Sequence, residues 1–120
     1  MADNIIKTKS FNFALRIIKL FQFLKDDKKE YVLSKQLLRS GTAIGALVRE
    51  SEHAESKKDF IHKLAIAQKE ANETDYWLEL LFQSNYLNDT QFQSIKYDII
   101  EINKILASII ITSKQKLSTT

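Results

Sequence analysis

The chain contains no proline and no cysteine, and only two of its residues are glycine. Each shortage excludes something. A β-rich fold needs turn residues every few positions, so a chain this poor in proline and glycine has few turns and long helices. Without cysteine there are no disulfides, no thiolate metal ligands and no cysteine nucleophile. No run of apolar residues is long enough to span a bilayer, so no membrane contact is expected. The opening Met1-Ala2-Asp3-Asn4 lacks the charged-then-apolar pattern of a signal peptide, and the expected location is cytoplasmic. The two glycines form neither a phosphate loop nor a nucleophile elbow.

What is present is apolar content of 44% over 120 residues, enough for one packed domain spanning residues 1–120. The net charge of +3 is unevenly spread: residues 1–49 are basic and residues 50–84 acidic. Such asymmetry suits either a polyanion-binding face or self-association of unlike surfaces.

Helical periodicity predicts four helices, over residues 8–25, 32–52, 57–83 and 89–114. The first centres on Ala14, Ile17, Ile18, Phe21 and Leu24, and the second on Leu33, Leu37, Gly41, Ile44 and Val48. Ser56 with Asp59, and Asn88 with Gln91, have the spacing of capping pairs at the starts of the third and fourth. In the fourth, Phe92, Ile95, Ile99, Ile102, Leu106 and Ile109 form a heptad-like seam, with a loose tail expected from Leu117. Short connections make neighbours antiparallel, which gives an all-α, up-down-up-down four-helix bundle. Phe13, Leu20, Phe23, Ile100, Ile110 and Ile111 exceed what one core needs and predict a homo-oligomer.

Polar constellations give structural rather than chemical readings. Antiparallel register sets Arg39 opposite Glu70 and Glu73, predicting a partly buried ion-pair cluster that fixes register. Gly41 and Gly45 predict a close helix contact, against the Ala67 region of the third helix. Glu50-x-x-His53 supplies one element of a di-iron site but has no second copy, so no metal or other cofactor is expected. Arg49-x-x-x-His53 is too tightly spaced for the arginine–histidine pair of helical-bundle ribonucleases, so no catalytic residue is assigned. Lys7, Lys9, Arg16, Lys19, Lys25, Lys28, Lys29 and Lys35 form a basic set that could meet nucleic-acid phosphates, above all if an oligomer repeats it around a ring. No aromatic-interleaved reader motif accompanies them, so sequence-specific recognition is not expected.

The segment from Gln36 to Ala46, QLLRSGTAIGA, resembles the signature of the bacterial four-helix-bundle proteins encoded in 23S rRNA intervening sequences. The run from Asp59 to Leu78, DFIHKLAIAQKEANETDYWL, is a second match, and Leu47 is a departure, since the family usually has Asn there. The resemblance implies a bundle assembled into a ring, often a pentamer, with a link to RNA and no established enzymatic activity. The accessory protein of diversity-generating retroelements is similar in fold, which implies a nucleic-acid or reverse-transcriptase-like partner. The resulting expectation is a non-enzymatic, oligomeric bundle that binds RNA or DNA, or a nucleoprotein, through basic surface residues. The alternative is a protein-interaction scaffold that contacts no nucleic acid.

Overall fold

Four helices follow one another in the order α1 (Ala2–Asp26), α2 (Leu33–Ser51), α3 (Lys57–Gln83) and α4 (Asp89–Ser118). The computed structural model describes residues 2–118, with side chains from Ile5 onward; Met1, Thr119 and Thr120, part of the expected tail, lie outside the described residues. There is no strand among the described residues. Each helix packs on its sequence neighbours, and α4 closes the square against α1, while among the described residues the diagonal pairs do not meet. The rod measures 52 × 22 × 20 Å. The α1–α4 seam is the loosest of the four.

The helix ends are set by local hydrogen bonding. Ser56 accepts from the Asp59 N–H at 3.0 Å, and the Asp59 carboxylate accepts from the Glu55 N–H at 3.1 Å. Asn88 and Gln91 form the full reciprocal box, at 2.9 and 2.8 Å. α3 ends at Gln83, and two residues on, the left-handed backbone of Asn85 (φ 68°) lets the Tyr86 N–H reach the Leu81 carbonyl at 2.9 Å. α1 begins earlier than the expected residue 8, because Ile6 and Ser10 continue its buried stripe. α4 likewise continues through Leu117 and Ser118.

The core is one continuous cluster fed by all four helices. Its α1 contribution is Ile6, Phe13, Ile17 and Leu24, so α1 is rotated relative to the expected stripe. Phe13, expected as surplus, is 1% exposed, whereas Ile18, expected in the core, is 38% exposed. Ile110 is also buried. The reason is that α1 is apolar over most of its circumference, so its period alone does not select the inward face. Its rotation is settled by α2. A Cβ at Gly41 would lie 2.8 Å from Ile17 Cγ1, and one at Gly45 would lie 3.2 Å from the Ser10 carbonyl oxygen. The missing side chains thus admit α1, not α3, which corrects the expected partner of the glycine pair.

Candidate nucleic-acid interface

The eight basic residues singled out in the sequence divide into two groups. Three hold the bundle together. Lys7 pairs with Glu52 at the end of α2 (3.3 Å), and Lys9 with Glu101 of α4 (3.0 Å). Arg16 pairs with Asp98 and donates to the carbonyl (3.3 Å) and hydroxyl (2.8 Å) of Ser94. Lys9 and Arg16 therefore cross the loosest seam. Each such pair, half in solvent, contributes about 0.2–1 kcal/mol, and a phosphate would have to displace the carboxylate to use the cation.

The remaining five are differently placed. Lys19 stands on the rim of an open groove of about 580 Å³ between α1 and α4, with Leu20, Phe23 and Ile95 among its lining. Lys25 sits 3.9 Å from the Asp26 carboxylate and over the Phe21 ring, and Lys28 lies over the Phe23 ring. Among the described residues, Lys19, Lys28, Lys29 and Lys35 join no carboxylate. Three of these four, Lys28, Lys29 and Lys35, gather where α1 hands over to α2.

That connection is built around a residue that the sequence pattern does not flag. Glu30 is buried. Its carboxylate accepts from the backbone N–H groups of Val32 (3.1 Å), Leu33 (3.1 Å) and Ser34 (2.6 Å), and the Ser34 hydroxyl donates to the Glu30 carbonyl at 2.8 Å. Val32 occupies the cap position but supplies no side-chain bond, so Glu30 neutralises the N-terminus of α2 from two residues upstream. Burial acts to raise its pKa, but the backbone donors of Ser34, Leu33 and Val32 outweigh that and hold it below the ordinary carboxylate value. The charge of Glu30 is thus spent inside the bundle. Lys25 and Asp26 offset each other, which leaves Lys28, Lys29 and Lys35 facing solvent against Asp27 alone.

Other expected constellations are not assembled. Arg39 is exposed, and among the described residues no ion pair joins it to Glu70 or Glu73. The inward position belongs to the next residue, Ser40, whose hydroxyl accepts from Thr74 of α3 at 2.9 Å; both are fully buried. One step along a helix turns a side chain by about 100°, which is why Arg39 faces away. His53 shares an open depression with Glu50, Glu55, Asp59 and Lys63, and no metal-holding cluster of three His, Asp or Glu exists among the described residues. No described helix is long and apolar enough to cross a membrane.

The surface carries two apolar strips. Phe11, Leu15 and Ile18 recur at helical spacing on the outward side of α1, and Tyr97, Ile100 and Ile111 are exposed on α4. Arg49 of α2 covers Phe11, 5.2 Å from its ring centre.

The arrangement has known counterparts. The family model for the 23S rRNA-intervening sequence protein matches residues 2–108. The chain belongs to this family. A crystal structure of a protein of unknown function from the S23 ribosomal protein family of Bacteroides thetaiotaomicron is 58% identical. The match covers 92% of this chain and 98% of that one, with a TM-score of 0.91. Among curated proteins nothing matches. Neither description names an enzymatic activity, and the solved structure shares the fold described above.

Proposed function

We propose that this protein is a ring-forming, non-enzymatic helical bundle that binds RNA electrostatically, using the α1–α2 end as its contact. The observation that carries the reading is the division of the cations. Lys7, Lys9 and Arg16 are matched to carboxylates, while Lys28, Lys29 and Lys35 are left together and unmatched at one end. Self-assembly is supported by the exposed apolar residues that recur on one side of α1, with others on α4; apolar surface gathered in this way often marks an interface. Ring symmetry would repeat the cationic end once per subunit, and each phosphate neutralised adds to affinity. The family's description ties its members to 23S rRNA intervening sequences, which favours RNA as the polyanion. The expected ring is a pentamer acting in the cytoplasm.

The test is affinity for a labelled RNA across a salt series. Replacing Lys28, Lys29 and Lys35 with Ala should flatten the log–log salt slope by about 2 for each subunit that contacts the RNA, taking about 0.7 per phosphate contact on a single strand. Lys9→Ala should leave the slope unchanged. Absence of binding at low salt would end the proposal. Light scattering with and without nuclease gives the assembly state, and a monomer would remove the ring.

A further inference from the structure

We infer that the α1–α2 connection is a site selective for unpaired nucleotides, in which Tyr31 stacks on a base while Lys28, Lys29 and Lys35 hold the adjoining phosphates. This rests on the nucleic-acid reading above and specifies its ligand class.

Three observations lead to it. First, Tyr31 and Val32 lie between Lys29 and Lys35 in the connection and are 50% and 71% exposed. Among the described residues the Tyr31 ring packs against no other aromatic, and its hydroxyl makes no hydrogen bond. An exposed aromatic ring beside free ammonium groups is the combination that single-strand binders use: the ring offers a stacking surface and the cations take the backbone. Bases inside a duplex already stack on each other and present no free face, so such a ring discriminates between the two forms.

Second, the platform is rigidly anchored although its ring is exposed. The residue before Tyr31 is clamped on both sides: the Glu30 N–H donates to the Leu24 carbonyl at 2.9 Å, and the buried carboxylate holds the first N–H groups of α2. The backbone of Tyr31 is therefore set before any ligand arrives, which reduces the ordering cost of binding.

Third, Lys29 has a left-handed backbone, φ 56°. This is the position after a helix where glycine is relaxed and a residue with a side chain is strained. The chain ends α1 there with lysine. The left-handed turn lets the Glu30 N–H reach the Leu24 carbonyl and so end α1, and it leaves Lys29 itself exposed, with no ion pair among the described residues. An exposed lysine thus stands two residues before Tyr31 in the chain.

The experiment uses the full-length protein, a fluorescein-labelled mixed-sequence RNA 12-mer, and the same strand annealed to its complement. The wild type should prefer the single strand. Tyr31→Ala should weaken single-strand binding about tenfold, the effect of losing one stacked base, with an unchanged salt slope and unchanged duplex binding. Tyr31→Phe should bind like the wild type, because the ring face and not the hydroxyl is used. Equal losses on both forms, or no loss on the single strand, overturn the assignment and leave the electrostatic reading standing. Failure of the wild type to bind either form removes both.

Discussion

Gly41→Ala is a sensitive probe of how α1 is seated. The new methyl would lie 2.8 Å from both Cγ1 and Cγ2 of Ile17 and 3.2 Å from its Cδ1. Ile17 is fully buried in the core cluster, so its side chain has little freedom to move. Replacing glycine by alanine within a helix gains about 1 kcal/mol, and overpacking of this kind costs about 1–3 kcal/mol. The net expectation is a loss of about 0–2 kcal/mol, a range too broad to be decisive alone. A double-mutant cycle removes the ambiguity. Ile17→Ala alone should cost about 2–5 kcal/mol through the cavity it leaves. With Ala at both positions the methyl of residue 41 enters vacated space instead of colliding. The pair should then be more stable than the sum of the single effects by about 1–3 kcal/mol. Urea unfolding followed by circular dichroism, at one protomer concentration because assembly shifts apparent stability, provides the measurement. A parallel cycle of Gly41→Ala with Ala67→Gly should be additive within about 0.5 kcal/mol, since α3 is not what the glycine faces. Additivity with Ile17, or coupling to Ala67, would refute the account of α1 packing.

Glu30→Gln should lower stability at neutral pH by about 1–2 kcal/mol, the scale of charge-assisted capping bonds. Because the folded state holds Glu30 below its ordinary pKa, its contribution is complete above that value and is lost as pH falls through the folded-state value; the gap between wild type and variant in urea midpoints should therefore close on acidification. Lys29→Gly should raise stability by about 0.5–1 kcal/mol, through relief of the left-handed lysine, while weakening RNA binding; thermal melts and the RNA titration should thus move in opposite directions. Arg39→Ala should change stability by less than about 0.5 kcal/mol in thermal melts, since the side chain is exposed and unpaired. Thr74→Val should cost about 1–3 kcal/mol in the same assay, because it leaves the buried Ser40 hydroxyl without its Thr74 hydrogen-bond partner.

Four helices, their order and two of their caps were legible in the sequence because these signals are local. Ser56 with Asp59 and Asn88 with Gln91 satisfy orphan N–H groups within four residues, and the seam from Phe92 to Ile109 repeats on one face of α4. The rotation of α1 was not legible. Phe11, Phe13, Leu15, Ile17 and Ile18 fill both sides of that helix, and only the space left by Gly41 and Gly45 decides that Phe13 and Ile17 face inward. The same limit applied to Arg39. Register placed it near Glu70 and Glu73, but register does not give azimuth, and the neighbouring Ser40 took the inward position opposite Thr74. Glu30 stayed hidden for a different reason. Its neighbours Lys28 and Lys29 make the segment read as a solvated charge run, and the acid acts from two residues before Val32, outside the spacing of a standard cap.

The basic character of the first half of the chain is therefore not one property. An ion pair across the α1–α4 seam and an unmatched lysine at the α1–α2 turn contribute equally to net charge, yet they respond oppositely to a polyanion. Lys9 and Arg16 already face Glu101 and Asp98, so bringing up a phosphate there exchanges one anion for another and exposes a carboxylate to repulsion. Lys28, Lys29 and Lys35 have no such ion pair to lose among the described residues, and Glu30, which stands between them in the chain, is turned inward onto the α2 backbone, leaving only Asp27 beside them. The cap that fixes the start of α2 thereby also leaves the turn more positive than its composition suggests. Structural and functional uses of charge are coupled through that one side chain. A Glu30 released from its cap by substitution of its neighbours would weaken the helix and also return a negative charge to the lysine-rich turn, the contact proposed for RNA.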